Sequence, residues 1–287
     1  MRYDIVSVYY FIDEFCKVYE DWERGRLLPR PGKRNRAGEM SLSELLTIAV
    51  CYHLSGFKCF KYFYLYDMGI RHSDKFPGLI SYSRFVQLMP RLFVPLCVLL
   101  QSLRGEETGL YFMDSTSLAV CHNRRISRNR VFAGLAERGK TTMGWFYGFK
   151  LHLVINHKGQ IMAVKITRGN VNDREPVEQL TANLEGIIAA DKGYLSKKLF
   201  DALYKRGLKL LTGIRKNMKN ILMPLQEKYF LRKRFLVETV FGLLKKHYDI
   251  QHSRHRSPAN AFGNTLAAVT AFSIKPTANL LGVLIQN

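Results

Sequence analysis

This chain is short of acid. Its 23 Asp and Glu stand against 44 Lys and Arg, a formal charge of +21 at pH 7. An excess of one sign that large repels itself in a compact state and points to a polyanionic partner. Nucleic acid is the first candidate and an anionic membrane surface the second. Cysteine is scarce too: Cys16, Cys51, Cys59, Cys97 and Cys121 are odd in number, scattered, and form no C-x-x-C pair. This argues against a disulfide framework or a zinc finger and fits a reducing, cytoplasmic setting. His122, His152, His252 and His255 lack a zinc spacing and are read as polar or phosphate-side residues. No run reaches the ~18 uncharged apolar residues that a spanning helix needs. The best attempt, 93–100, is short and holds Pro95, so no membrane span is expected. The N-terminus carries Asp4, Asp13 and Glu14 and no cleavable signal pattern.

What the chain does have is apolar residues, 47% of its 287, enough for a real core. Residues 1–105 read as an all-helical region. Helical spacing covers 5–18, and a polar, proline-bearing, cationic loop follows. Ser41 and Glu44 form a capping box opening a helix over 45–54. Gly56 breaks that helix, and an aromatic run over 57–66 reads as core more than as a stacking surface. A last helix over 81–103 is expected to kink at Pro90 and Pro95. These helices are either a helix-turn-helix DNA module or a cap without DNA contact.

The texture changes after residue 105. A short apolar strand over 110–113 runs into Asp114. The stretch 122–140 follows, a basic loop whose only acid is Glu137. Strands over 145–155 and 161–167 flank a hairpin turn at 156–159. A helix through Leu180, a buried strand over 186–190 ending at Asp191, a helix over 196–205 stopped by Gly207, and a strand over 208–214 complete the pattern. One helix is expected over 232–248, with Val237, Phe241 and Leu244 on its apolar stripe. The order β-β-β-α-β-α-β-α describes an α/β domain over 106–250, with a five-stranded mixed sheet flanked by helices. A tail over 251–287 carries a basic segment and a helix from Pro258 to Ile274, expected to pack on the core.

Asp114 and Asp191 each follow an apolar strand, where open α/β sheets place their ligands. Glu238 is isolated among cations; from Lys192 to Arg256 the other acids are only Asp201, Glu227 and Asp249. Three acids sharing a site need a cation, and hard oxygen donors select Mg2+ or Mn2+. Two such ions clamp the attacking and leaving oxygens of a phosphoryl displacement. Phosphate contacts are then expected from Arg124, Arg125, Arg128, Lys192, Arg215 and Lys216. Arg234 and Lys245, on the face of Glu238, are expected to position the strand. Asp173, in a turn with Asn170 and Asn172, is the rival acid and reads as a turn or cap residue. Trp145 reads as a sheet anchor and Gly193 as a turn residue.

The stretches YFMDST, AADKGY and RFLVETVFGLLKK, in this order and with these acids, resemble the DDE transposases of bacterial insertion sequences. Arg234, Glu238 and Lys245 match the family's last motif, whose tyrosine position holds Leu231 here. The stretches DSTSLAVCHNRR, GWFYGFKLHLVIN and IRKNMKN are similar to the subgroup numbered nine-eight-two in insertion-sequence nomenclature. The resemblance covers about 107–256. It implies an RNase H-like fold, with catalytic and metal-binding roles for Asp114, Asp191 and Glu238 and two divalent ions. The implied activity is cleavage of double-stranded DNA at transposon ends, then strand transfer into target DNA by the freed 3′-hydroxyl. A homodimer or larger assembly on DNA is the expected working form. Two alternatives stand beside it: another RNase H-like nuclease such as a junction resolvase, or a non-catalytic DNA-binding descendant of a transposase.

Overall fold

The computed structural model describes residues 3–26, 38–142, 144–213, 223–251 and 255–274. The chain divides into a helical unit, formed by residues up to Leu103 with His247–Ile250 and the C-terminal helix, and a sheet unit, Arg104–Lys246 with Gln251–His255.

In the helical unit, α1 (Ile5–Arg24) starts at Asp4, whose carboxylate accepts from the Val6 and Ser7 amides. It buries Ile5, Val8, Ile12, Cys16 and Tyr19, one stripe at helical spacing. The capping box of α2 (Leu42–Ser55) is complete, and Gly56 ends the helix at φ +81°. Nearly every side chain of α2 is buried, so it forms the centre of the unit. The aromatic run divides between core and surface. It forms α3 (Phe60–Tyr62) and a π-helical segment, Phe63–Arg71, burying Phe63 and Tyr64 and leaving Tyr62 and Tyr66 exposed.

Next come α4 (Tyr82–Leu88), a 3-10 turn at Met89–Leu92, and α5 (Phe93–Ser102). By length and apolar composition the run Tyr82–Ser102 is a candidate membrane span, which the sequence reading did not expect. It contains Arg84 and Arg91 and is interrupted at Pro90, and its buried Phe85, Leu92, Leu96 and Leu99 pack within the helical unit. The C-terminal helix Pro258–Ile274 packs against α2 and α5. Its small buried residues Ala261, Gly263, Ala267, Ala268 and Ala271 allow that close approach.

Among the described residues the sheet unit holds six strands: β1 (Leu110–Cys121), β2 (Glu137–Thr141), β3 (Gly144–Asn156), β4 (Ile161–Arg168), β5 (Gly186–Ala190) and β6 (Leu208–Thr212). The order is β2-β3-β1-β5-β6, with β4 also on β3. β2 and β4 share one edge of β3, taking its first and second halves. β1 runs antiparallel to β3, while β5 and β6 add in parallel. The mixed sheet flanked by helices stands as expected, with one strand more. That strand, β2, lies inside the stretch read as a basic loop. β1 is also longer than expected: its ladder with β3 carries it from Tyr111 to Cys121, so Asp114 lies within a strand and not at its end.

Side chains alternate across the sheet. Tyr111 and Met113 of β1, Ile188 and Ala190 of β5 and Leu208 and Leu210 of β6 share a core with α6 (Val177–Leu180) and α7 (Lys197–Tyr204). Phe112 faces the other way and stacks on Phe230 of α8 (Leu225–Arg232), ring centroids 4.6 Å apart. The helix expected over 232–248 is α9 (Phe235–Lys246), shorter at both ends, and a separate helix precedes it. α8 ends at Arg232, and Lys233 and Arg234 form a turn between the two. The break separates an unburied helix from one that buries Leu236, Val237, Val240, Phe241 and Leu244.

Candidate active site

Three elements bring the acids together. β1 and β5 are in parallel register, Phe112 beside Ala189. Two residues further along both strands, Asp114 comes level with Asp191. Asp114 shares its sheet face with Phe112, the face toward α8, and α9 packs against β1 and β3. Arg234, in the turn before α9, reaches the acids. Its guanidinium lies 3.2 Å from Asp114 Oδ2, 3.8 Å from Asp191 Oδ1 and 2.8 Å from Glu238 Oε1. One cation thus touches all three carboxylates.

The acids differ in setting. Asp114 is the enclosed one; its carboxylate also accepts from the Ser115 amide at 2.8 Å. Burial pushes its pKa up to about 6, against the lowering by that amide and by Arg234, and the charges of Asp191 and Glu238 push the same way as burial. Asp191 and Glu238 are about half exposed, at 54% and 55%, so two of the three acids face solvent. Three carboxylates crowded together require positive charge, and here Arg234 supplies it. The donors are hard oxygens that suit a divalent ion, although among the described residues no three His, Cys, Asp or Glu side chains are already arranged as ligands of one.

The other expected residues are spread around this site. Lys245 lies on α9 with no carboxylate in salt-bridge range among the described residues, and burial lowers its pKa. Lys192 is exposed beside Asp191. Arg124, Arg125 and Arg128 are exposed on a 3-10 turn, Asn123–Arg128, whose first amides are capped by His122. Arg215, Lys216 and His252 lie outside the described residues. His152 is not phosphate-side: it is buried in β3, its Nε2 is 2.8 Å from Thr167 Oγ1, and burial brings its pKa down to about 4.

Asp173 lies in a turn, as the sequence suggests, and its side chain also ties elements together, which the sequence did not show. It accepts from Ser115 Oγ at 2.9 Å and from Lys150 Nζ at 3.0 Å, tying the loop after β4 to β1 and β3. The only signal for this was Ser115 next to Asp114: a residue that turns its side chain to the opposite face of the strand. Trp145, read as a sheet anchor, is 61% exposed.

Residues 104–258, more than half of the chain, match the family model described as "Transposase DDE domain". The matched span contains Asp114, Asp191, Arg234 and Glu238. No curated protein matches the chain. Among solved structures, the protein of the "Cryo-EM structure of piggyBac transposase synaptic complex with hairpin DNA (SNHP)" superposes with a TM-score of 0.52. That match covers 98% of this chain and 77% of the other at 12% identity, a likeness of fold. With its acids carried on β1, after β5 and on α9, this chain belongs to the transposase DDE domain family.

Proposed function

We propose that the protein is an insertion-sequence transposase, of the subgroup numbered nine-eight-two, that cuts DNA at the element's ends and joins the freed 3′-hydroxyl to target DNA. The observation that carries this is the convergence of Asp114, Asp191 and Glu238 on one guanidinium. Domains of this family generally use divalent metal ions, and these three residues would hold them. When bound, two Mg2+ or Mn2+ ions polarise the phosphodiester and stabilise the attacking and leaving oxygens.

The rest is done by the chain. Asp114, held by its ladder and by the Ser115 amide, fixes the deep side of the site. Asp191 and Glu238, half exposed, meet substrate from the solvent side. Arg234 neutralises the acids, and its planar fork has the geometry to grip two oxygens of the strand being cut. Lys245, half-buried on the same helix, and the exposed Lys192, Arg124, Arg125 and Arg128 neutralise flanking phosphates. Two ends must be handled together, so the working form is a dimer or larger assembly on DNA.

The test is incubation of the full chain with the element's own end DNA, a target plasmid and Mn2+. Nicked ends and end-to-target joints are expected. Nicks without joints would assign a nuclease of the same fold. Bound but uncut DNA would assign a non-catalytic DNA-binding protein.

A further inference from the structure

A groove of about 500 Å³ opens next to the carboxylate site, and most of its lining residues have no role above. The β2–β3 pair, the loop 169–174 and Gly193 line it. The loop sits directly on strand backbone. The Gly169 amide donates to Gly148 O at 3.0 Å, and a Cβ on Gly139 would lie 2.3 Å from Gly169 O. Asp173 and Lys150 pair across the groove's lining, and Arg174 Nε donates to Gly193 O at 2.8 Å. Arg138 and Lys140 are exposed and, among the described residues, have no carboxylate in salt-bridge range.

Trp145 stands in this lining with most of its surface in water. Lys140, its partner across the β2–β3 ladder, places its ammonium 5.7 Å from the indole centroid. The Trp145 carbonyl accepts from Asn123 Nδ2 at 2.6 Å, which ties it to the turn bearing Arg124, Arg125 and Arg128. An exposed indole between unpaired cations is a stacking face with phosphate contacts on both sides. That is the combination by which proteins hold unpaired nucleic acid strands. In a duplex each base is already stacked on its neighbours, so only an unpaired base can lay its face on the indole.

Gly193, in the groove's lining, is two residues from Asp191, one of the three acids. We propose that this groove holds an unpaired stretch of the DNA strand beside the cut, with one base stacked on Trp145 and phosphates on Arg138, Lys140 and Arg174. This rests on the DNA-cutting function above and adds strand separation at the site.

Trp22 and Trp145 are the only two tryptophans, so Trp22→Phe in the full chain leaves Trp145 as the sole emitter. That protein is titrated with end-labelled oligothymidylate and with a labelled blunt duplex, reading anisotropy for occupancy and tryptophan emission for stacking. The single strand quenches Trp145 at saturation and the duplex does not. Trp145→Ala weakens single-strand binding about tenfold or more and Trp145→Phe restores most of it, while duplex binding changes by less than about twofold. Unchanged emission with the single strand bound, equal quenching by the duplex, or full-strength single-strand binding by Trp145→Ala overturns the proposal. Duplex binding with a silent Trp145 overturns this proposal alone; failure to bind either DNA overturns the DNA-cutting function with it.

Discussion

At the site, the balance of charge turns on Arg234. An exposed i,i+4 pair with Glu238 would be worth about 0.3–0.5 kcal/mol, and Arg234→Ala would be nearly silent. The structure adds Asp114 and Asp191 to that pair and leaves the guanidinium only 22% exposed. Removing it leaves three acids facing each other. Arg234→Ala is therefore expected to lower stability in chelator by on the order of 1–3 kcal/mol, with Mg2+ restoring most of the loss. Melting unchanged in chelator would show that the guanidinium does not hold the cluster. Asp114 carries the complementary prediction. Its folded pKa, about 6, lies above the unfolded value of 3.8. The folded state therefore holds the proton more tightly, and ionising Asp114 costs stability as pH rises from about 4 to about 6. At 1.36 kcal/mol per pH unit the penalty is about 2–3 kcal/mol, an upper bound for a side chain that still meets solvent. Metal-free Asp114→Asn should melt several degrees above the parent at pH 7 and level with it near pH 4. An Asn variant that melts lower at pH 7 would contradict this.

Among the elements, strand register and strand edges decide what the sequence could reveal. The strands β3 and β4, the hairpin turn between them, the capping box of α2 and the left-handed Gly207 beyond α7 were legible, because each depends on local chemistry. Charge contrast and ordered motifs singled out Asp114, Asp191 and Glu238, which lie together around Arg234. Other features depend on tertiary pairing. β2, with the sequence ERGKT, has no apolar pattern and is a strand only because β3 offers it an edge. β1 continues past Asp114 through polar Ser115, Thr116 and Ser117 because β3 holds its hydrogen bonds. The turn at Lys233–Arg234 has no Gly or Pro to announce it. The seat of the loop 169–174 is of the same kind. Gly139→Ala would bring a Cβ within 2.3 Å of Gly169 O and 2.6 Å of the Phe146 ring. Such overpacking costs about 1–3 kcal/mol. The variant is expected to melt lower and to weaken the Asp173–Ser115 tie; melting at the parent temperature would show that the loop yields freely.

The scale of the whole molecule is set by its charge of +21. If DNA is held mainly through phosphates, log affinity falls linearly with log salt, with a slope of about −0.9 per phosphate neutralised. Binding indifferent to salt would leave the charge without a partner. The charge alone, however, does not separate an enzyme from a DNA-binding protein; the acids do. The most direct measurement is the cleavage rate on the element's end DNA, in Mn2+, for Asp114→Asn, Asp191→Asn and Glu238→Gln, each at a concentration where it binds that DNA as fully as the parent. Losing several kcal/mol of transition-state stabilisation lowers the rate by on the order of a thousandfold, and each variant is expected to show that loss while still binding. A variant that binds and cuts at close to the parent rate would remove its residue from the site and contradict the single three-carboxylate centre.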